Sequence, residues 1–382
     1  MFDNPFSDAE IARRLRRVCA ELELRGLDAA IIASPENVIY LAGLDHWGYF
    51  APHLLLVPLD GQPVLVTRAM EKVSVEKQAR AACFRGHPDS ETAADMMARL
   101  LREQKLENKA VGLEYWTSGL SHGLALSLTT QVTARWSDVS GLVDAMRLVK
   151  SAEEQVLMRR AARVSDAAGE AAIAANADGA RESDVAAACM AAMIRAGGHP
   201  PGFGPFIRPG SRLGEEHATW GDGTYNKGEL VFLELSGCVS RYHAPLGRLV
   251  HIDAIRDEDA RIADIVRQAF DAVVAAMRPG NRARDVYAAW QAVVDEAGLA
   301  HYRRHHCGYC VGIGQPPSWT GGNSVTGLRH DSDLEIRTGM SFHILSWLMG
   351  SGQGDDFLSN TVLLTETGPE VLTQLTSGPI VV

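Results

Sequence analysis

The chain has 382 residues, which is more than one compact domain usually holds, so two domains are expected. Apolar residues make up 46% and charged residues 22%, as is typical of a globular protein. The formal charge of −10 argues against a nucleic-acid-binding protein, and no apolar run approaches the roughly 18 residues of a membrane helix. The first 28 residues lack a basic segment followed by an apolar one, so we expect no secretory signal and a cytoplasmic location.

The first part of the chain alternates between helix and strand patterns. Residues 8–28 predict an amphipathic helix that ends at Gly26. "DAAIIAS" predicts a buried strand, "PENVIYLAG" a turn and the start of a strand, and "HLLLVPL" with "PVLVT" a strand pair. "SETAADMMARLLREQK" then predicts a helix and "AVGLEY" a strand. This mixture predicts a small α/β domain over residues 1–148.

The second part of the chain, residues 149–382, has a different pattern. Ala-rich helices are predicted over residues 151–176 and 182–197, and a Gly/Pro-rich stretch follows them. Two further helices are predicted near residues 257–278 and 283–298, with strands between and after the four helices. Helices combined with antiparallel strands predict an α+β fold.

The six cysteines do not form the pattern of a disulfide framework in so long a chain. Cys307 and Cys310 have the C-x-x-C spacing, but a ribbon-type zinc site would need a second such pair. A thioredoxin-like motif would lie near the chain start in a βαβ context. We therefore expect reduced cysteines that pack in the core, with a redox or metal role as the alternative.

Four stretches carry a resemblance to a known superfamily: "KSAEEQVLMRRAA", "EEHATWGDGTYNKGELVFLELSG", "RTGMSFHILSWLM" and "NTVLLTETGPEVLT". They resemble the pita-bread superfamily of methionine aminopeptidase, prolidase, aminopeptidase P and creatinase. The two-domain layout is similar to that of creatinase and the proline peptidases. The resemblance implies a creatinase-like α+β chain, with an N-terminal α/β domain at 1–148 and a pita-bread catalytic domain at 149–382.

The peptidases of this superfamily hold two metal ions with two Asp, one His and two Glu. On this chain, the resemblance places those five ligands at Glu234, Pro245, Tyr309, Leu345 and Ser359. Four of these five side chains bind a divalent ion poorly. The resemblance therefore implies a protein without a metal centre, and we expect no other cofactor.

A histidine and one acid remain at the matched positions. In the peptidases a His precedes the first metal-binding Asp by 17 residues, and His217 precedes Glu234 by 17. Loss of the metal with retention of this His is the pattern of creatinase, which cleaves a C–N bond without metal. The creatinase stretch "ALER", whose Glu grips the guanidinium, reads "PLGR" here, with Gly247 in place of that Glu. Creatine is therefore not expected as the substrate.

Three further stretches resemble the ectoine hydrolases, a metal-free branch of the superfamily: "ELSGCVSRYHAPLGR", "HHCGYCVGIGQPPSW" and "GDDFLSNTVLLTE". This resemblance implies a metal-independent hydrolase that opens the cyclic amidine ring of ectoine to N-acetyl-2,4-diaminobutyrate. One alternative is a creatinase-like amidinohydrolase for another small guanidino or amidine compound. Another is a non-catalytic pita-bread module that binds peptides or histones, which would leave the register of His217 and Glu234 unexplained.

Strand alternation places Glu234 on the same face as Phe232, so its carboxylate is expected to point into a pocket. Ectoine carries an amidinium, for which a buried carboxylate is a natural partner. Glu234 is therefore expected to act as nucleophile or amidinium anchor, and His217 as general acid and base. The alternatives are an acid paired with Arg248 and a histidine that caps a turn.

The remaining candidates for substrate binding are polar residues near the former ligand positions: Tyr242, His243, Arg248, Tyr309, His343 and Arg329. Tyr309 could donate to a tetrahedral intermediate or fill the space of the metals, and Arg248 or Arg329 could hold the substrate carboxylate. For His243 and His343 a structural role is an equal alternative. Trp319 and Trp347 are expected in the core or the pocket wall.

The stretch "LDHWGYFAPH" contains Trp47, Tyr49 and Phe50. It matches the place where the N-terminal domain of creatinase reaches into the site of the partner subunit. The resemblance implies a homodimer in which Trp47 and Tyr49 contribute to the partner's pocket, with ordinary packing as the alternative. The expected ligand is a small molecule, with no nucleic acid or membrane as partner.

Overall fold

The computed structural model describes residues 4–322 and 325–382, which form two compact units. The first unit ends at Arg147 and also includes Gly322. The second unit comprises Leu148–Gly321 and Val325–Val382. Each unit has its own sheet. No helix in the described part of the chain is long and apolar enough to cross a membrane.

The first unit is built on a six-stranded mixed sheet with the order β4-β3-β2-β1-β5-β6. Strands β1, β2 and β3 are antiparallel neighbours, whereas β4, β5 and β6 are each parallel to their neighbour. The β2–β3 hairpin confirms the predicted strand pair. The strands are β1 (Ala29–Ile32), β2 (Leu54–Pro58), β3 (Val64–Arg68), β4 (Cys83–His87), β5 (Ala110–Leu113) and β6 (Arg135–Asp138).

Six helices accompany this sheet: α1 (Asp8–Arg25), α2 (Pro35–Ala42), α3 (Lys72–Gln78), α4 (Ala93–Glu103), α5 (His122–Gln131) and α6 (Leu142–Arg147). Helix α1 ends as predicted at Gly26, whose φ of 63° is the left-handed conformation that glycine adopts without strain. The prediction for "PENVIYLAG" was wrong, because this stretch is helix α2. All eight residues of α2 are buried, so the segment shows no apolar periodicity that would reveal a helix.

The second unit contains an eight-stranded sheet whose main path runs β10-β11-β12-β9-β8-β7, with β13 beside β12 and β14 beside β9. All pairs are antiparallel except β14 with β9. The strands are β7 (Phe206–Pro209), β8 (Leu230–Val239), β9 (Tyr242–His251), β10 (Gly308–Cys310), β11 (Ser341–Leu348), β12 (Asp356–Thr365), β13 (Gly368–Val371) and β14 (Ile380–Val381).

Four helices cover this sheet, at the places predicted: α7 (Ala152–Ala175), α8 (Glu182–Arg195), α9 (Asp257–Ala276) and α10 (Ala283–Glu296). Helix α7 begins with a capping box between Ser151 and Glu154. It packs on the β8–β9 hairpin, where Ser165 Oγ accepts from the backbone N–H of Gly237 at 2.7 Å. Helices and antiparallel strands form an α+β unit of the pita-bread type.

Candidate active site

Register across the second sheet brings three of the matched ligand positions and Gly247 into one row. Glu234 on β8 lies opposite Gly247 on β9, Gly247 lies opposite Ser359 on β12, and Ser359 lies opposite Leu345 on β11. Residues directly opposite each other in a ladder place their side chains on the same face. The row therefore places Glu234, Ser359 and Leu345 on one face of the sheet.

A cavity of about 460 Å³ lies over this face, entirely within the second unit. Its volume suits a small organic molecule. Both predicted catalytic residues line it, and aromatic side chains form much of its wall. The lining residues are Phe203, Phe206, Arg208, Glu216, His217, Phe232, Glu234, His305, His306, Tyr309, Ser318, Trp319, Thr320, Val325, Leu345 and Trp347.

The carboxylate of Glu234 is desolvated, although the cavity leaves the residue partly accessible. Burial raises the pKa of Glu234 to about 8, the positive charge of Arg208 opposes this shift, and the negative charge of Glu216 adds to it. Near neutral pH Glu234 is therefore held largely in its protonated form. A bound cation would favour the carboxylate, so this acid is suited to a cationic ligand.

His217 lies on the segment between β7 and β8, with a φ of 60° that is uncommon for a residue with a side chain. Its ring lies 6.2 Å from that of Phe203 and 5.8 Å from that of Phe206. Phe206 is also the residue directly opposite Glu234 in the β7–β8 ladder. The structure thus brings His217 and Glu234 to the same cavity, each next to Phe206.

The former metal positions are linked by a buried hydrogen-bond network. Trp319 Nε1 donates to the hydroxyl of Tyr309 at 3.0 Å, and this hydroxyl lies 2.9 Å from His343 Nδ1. His343 Nε2 lies 2.7 Å from Ser359 Oγ. Burial lowers the pKa of His343 well below its usual value and raises that of Tyr309 well above 10, so both are neutral near pH 7. Tyr309 and Ser359, two of the matched ligand positions, are therefore both hydrogen-bonded to His343.

Tyr242 and His243, two of the predicted substrate-binding residues, do not line the cavity. The hydroxyl of Tyr242 donates to Glu154 Oε1 at 2.9 Å. His243 Nε2 accepts from the N–H of Gly202 at 2.8 Å, so its Nδ1 is the donor to the carbonyl of Arg241 at 2.8 Å. Since both ring nitrogens are occupied within the fold, we assign His243 a structural place.

Arg248, predicted as a carboxylate ligand or as the partner of Glu234, also belongs to the framework. Its guanidinium donates to the carbonyls of Gly247, Ser359, Leu375 and Thr376 and to Asn360 Oδ1. These bonds join β9 to β12 and to the segment before β14. The arrangement leaves Arg248 away from the cavity, and we do not include it in the proposed site.

Four other predicted residues also lie outside the cavity lining, namely His343, Arg329, Trp47 and Tyr49. Arg329 is exposed and pairs with Asp331 through Nε at 2.8 Å. Trp47 and Tyr49 belong to the first unit, where Trp47 is 58% exposed and the Tyr49 hydroxyl donates to the carbonyl of Leu44. The role predicted for these two residues concerns a second copy of the chain and stays a prediction.

Gly247 stands at the position of creatinase's guanidinium-binding Glu, and the side chains of Phe357 and Ser359 leave no room for a side chain there. A Cβ on Gly247 would lie 2.7 Å from Cζ of Phe357 and 2.9 Å from Ser359 Oγ, both too close for a real contact. The ring of Phe357 stacks on Phe232 at 5.1 Å between ring centres. Phe357 therefore occupies the room into which a longer side chain at position 247 would extend.

The residues present do not fit a pair of metal ions. Of the matched ligand positions only Glu234 carries a carboxylate, and hard divalent ions require several oxygen ligands. Among residues 4–322 and 325–382, no group of three or more His, Cys, Asp or Glu is arranged to hold a metal. Cys307 and Cys310 are buried free thiols whose pKa burial raises, which suits packing.

Several cavity residues were not identified from the sequence, in particular Arg208, His306 and the phenylalanines at 203 and 206. Arg208 is a lone charge within the apolar-flanked stretch "PFIRPG", and this pattern could have indicated a buried charge near the site. The dipeptide His305-His306, shortly before Tyr309, was a second signal. Burial and the neighbouring cations lower the pKa of His306 to about 3.

Comparison with known proteins agrees with this architecture. Residues 156–366, more than half of the chain, match the family described as Metallopeptidase family M24. The chain belongs to this family. Residues 14–149 match the Creatinase/Prolidase N-terminal domain.

Three relatives illustrate the range of the M24 likeness. The chain is 27% identical to an ectoine hydrolase of Halomonas elongata over 96% of each chain. It is 23% identical to an Xaa-Pro dipeptidase of Pyrococcus horikoshii, over 94% of this chain and 97% of the dipeptidase. The structure of an Xaa-Pro dipeptidase from Bacillus anthracis superposes with a TM-score of 0.86 at 20% identity, covering 97% and 100% of the two chains. Its family and relatives make this chain a hydrolase that acts on C–N bonds.

Proposed function

We propose that this M24 protein hydrolyses the cyclic amidine of ectoine without a metal ion. The observation that carries the proposal is that Glu234 and His217 line the same aromatic cavity of about 460 Å³. Glu234 is a desolvated acid whose pKa is raised to about 8. A planar cation would be favoured by both the carboxylate and the aromatic faces around it. The likeness to the ectoine hydrolase of Halomonas elongata supports this substrate.

The reaction adds one water across a C–N bond of the ring. The amidinium would bind beside Glu234 and displace its proton to solvent, because the cation stabilises the carboxylate. Either the carboxylate attacks the amidine carbon and water then cleaves the ester-like adduct, or the carboxylate orients an attacking water. The ring C–N bond breaks and N-acetyl-2,4-diaminobutyrate forms.

His217 would move the protons in this scheme. Histidine titrates in the useful range and can take a proton from the attacking water and return it to the ring nitrogen that leaves. The ring of His217 forms no hydrogen bond with a described residue that would fix it in a turn. Its place in the cavity wall supports the catalytic role over the structural alternative.

Metal independence is the second part of the proposal. Tyr309, Leu345 and Ser359 supply no carboxylate, and Tyr309 and Ser359 are already bonded to His343. A creatinase-like reaction on another guanidino compound is disfavoured at Gly247, where Phe357 takes the space. A non-catalytic peptide-binding module would not need a desolvated acid and a histidine at one small cavity.

The experiment is to incubate the protein with ectoine and, separately, with creatine, each with and without chelator, and to follow the products by NMR. We expect N-acetyl-2,4-diaminobutyrate from ectoine in both conditions and no turnover of creatine. Mass spectrometry of the quenched protein distinguishes the two routes, because only the nucleophilic route adds the mass of the substrate to Glu234. Loss of ectoine turnover with chelator and its return with zinc or manganese would exclude the metal-free scheme.

We also propose that the protein is a homodimer in which Trp47 and Tyr49 reach the partner's pocket. Trp47 and Phe50 are 58% and 81% exposed on this loop, which is unusual for large aromatic side chains and suits a contact with a second copy. Trp47→Ala should raise the KM for ectoine, and sedimentation should give a dimer mass. A monomer with full activity would contradict this.

A further inference from the structure

Arg208 is a buried cation that lacks an ion pair. The residue is 1% exposed, and within the described part of the chain no carboxylate lies within ion-pair distance of its guanidinium. Burial lowers the pKa of its guanidinium below the usual value. A charge removed from water without a direct partner is costly and is found where it serves the fold or the site.

The hydrogen bonds of Arg208 all go to one short segment. Nε donates to the carbonyl of Arg212 at 3.0 Å, and the two terminal nitrogens donate to the carbonyls of Leu213 and Ala218 at 3.3 Å each. These acceptors bracket residues 212–218, the segment that contains His217. Three bonds from one planar fork restrain a segment that belongs to neither β7 nor β8.

A further contact of Arg208 holds its guanidinium against Phe232 of β8, which lines the cavity. Its Cζ lies 3.9 Å from the ring centre of Phe232, its direct partner in the β7–β8 ladder. Phe232 and Glu234 are two residues apart on the same face of β8, so Arg208 is a diagonal neighbour of Glu234. One side chain thus connects the strand that carries the acid to the segment that carries the histidine.

We propose that Arg208 is a positioning residue that holds the 212–218 segment so that His217 faces Glu234 across the cavity. The expected effect on turnover rests on the proposed function, whereas the restraint of residues 212–218 by Arg208 does not depend on it. Without the three bonds, His217 would sample positions away from the substrate, and misplacement by about 1 Å is enough to lower a rate on the order of 100-fold.

Two variants test this, Arg208→Met and Arg208→Lys. Methionine removes charge and donors at similar length, whereas lysine keeps the charge but cannot bond to three carbonyls in the same fork. We expect kcat on ectoine to fall by roughly 10- to 100-fold in both, with KM changed by less than about threefold. Arg261→Met is the matched control, because Arg261 also donates to a backbone carbonyl, that of Ala297, but lies on α9 away from the cavity.

Hydrogen exchange provides a readout that does not depend on the substrate. Amides of residues 212–218 should exchange faster in both Arg208 variants, and at the normal rate in Arg261→Met. Normal exchange in the Arg208 variants would overturn the proposal, and so would faster exchange with unchanged kcat. Failure of the unmodified protein to hydrolyse ectoine would contradict the proposed function instead, and the exchange data would still decide whether Arg208 holds the segment.

Discussion

Glu234 lies directly opposite Gly247 of β9, so the acid of the cavity has no side chain beside it on that strand. The space over Gly247 is filled by the ring of Phe357, which comes from β12. That ring also stacks on Phe232, which shares the face of β8 that carries Glu234. Aromatic packing therefore closes position 247 to a side chain.

Gly247→Ala should destabilise the second unit, because the new Cβ would clash with Phe357 and Ser359. Overpacking of this kind costs about 1–3 kcal/mol in the free energy of unfolding. Urea unfolding of the variant and of the unmodified protein measures this difference. Gly123→Ala is the control, since a Cβ at Gly123 meets nothing within 4 Å and alanine favours the helix in which it lies. Equal stability of the Gly247→Ala and unmodified proteins would contradict the described packing.

Stability of the unmodified protein should fall, relative to Glu234→Gln, as pH rises from about 5 to 8. The pKa of Glu234 is raised to about 8 in the folded protein, whereas the pKa of a Glu in the unfolded chain is near its ordinary value of 4.5. Between these values the unfolded state releases a proton that the folded state keeps, so ionisation favours unfolding. Glu234→Gln removes this effect, so above pH 8 its free energy of unfolding should exceed that of the unmodified protein. The difference should be a few kcal/mol, as follows from the pKa difference between the folded and unfolded states.

Denaturant unfolding at pH 5 and pH 8.5 checks this sign, with Glu366→Gln as the control at an exposed acid. If Glu234 were instead the ion-pair partner of a structural Arg, Glu234→Gln would lower stability at both pH values.

The value of kcat/KM for ectoine should rise with pH up to about 8 and then level off. The carboxylate form of Glu234 is the active one in the proposed reaction, and burial holds its pKa near 8 in the free protein. A pH profile of kcat/KM measures this. A rate that is already maximal at pH 6 would show that Glu234 is not the group that must ionise.

The network at the former metal positions should contribute to stability as a unit. His343→Leu leaves the hydroxyls of Tyr309 and Ser359 without their partner, which costs about 1–3 kcal/mol. Tyr309→Phe removes the acceptor of Trp319 Nε1 and should cost a similar amount. The double variant should cost less than the sum of the two, by about 0.5 kcal/mol or more, because the residues share one network. Strict additivity would mean that the bonds are independent.

Local pattern was sufficient for much of the fold, whereas Glu234 and His217 were chosen from the resemblance and their catalytic roles stay predictions. Strand alternation around Glu234 indicates its direction, and the periodicity of the helices indicates their bounds. Helix α2 escaped because burial on all sides removes periodicity. Arg248 was assigned to the substrate although its acceptors at Leu375 and Thr376 lie 127 and 128 residues away in the chain. Arg208 was missed for the same reason, since its place beside Glu234 depends on the pairing of β7 with β8.

The most direct test of the central claim is ectoine turnover by chelator-treated protein, with Glu234→Gln and Glu366→Gln measured at the same concentration of folded protein. We expect the metal-free protein and Glu366→Gln to form N-acetyl-2,4-diaminobutyrate at equal rates. Glu234→Gln should be slower by about 1,000-fold or more, because the attacking group and the counter-charge of the cation are lost together. Near-normal turnover by Glu234→Gln, or no product from the metal-free protein, would contradict it.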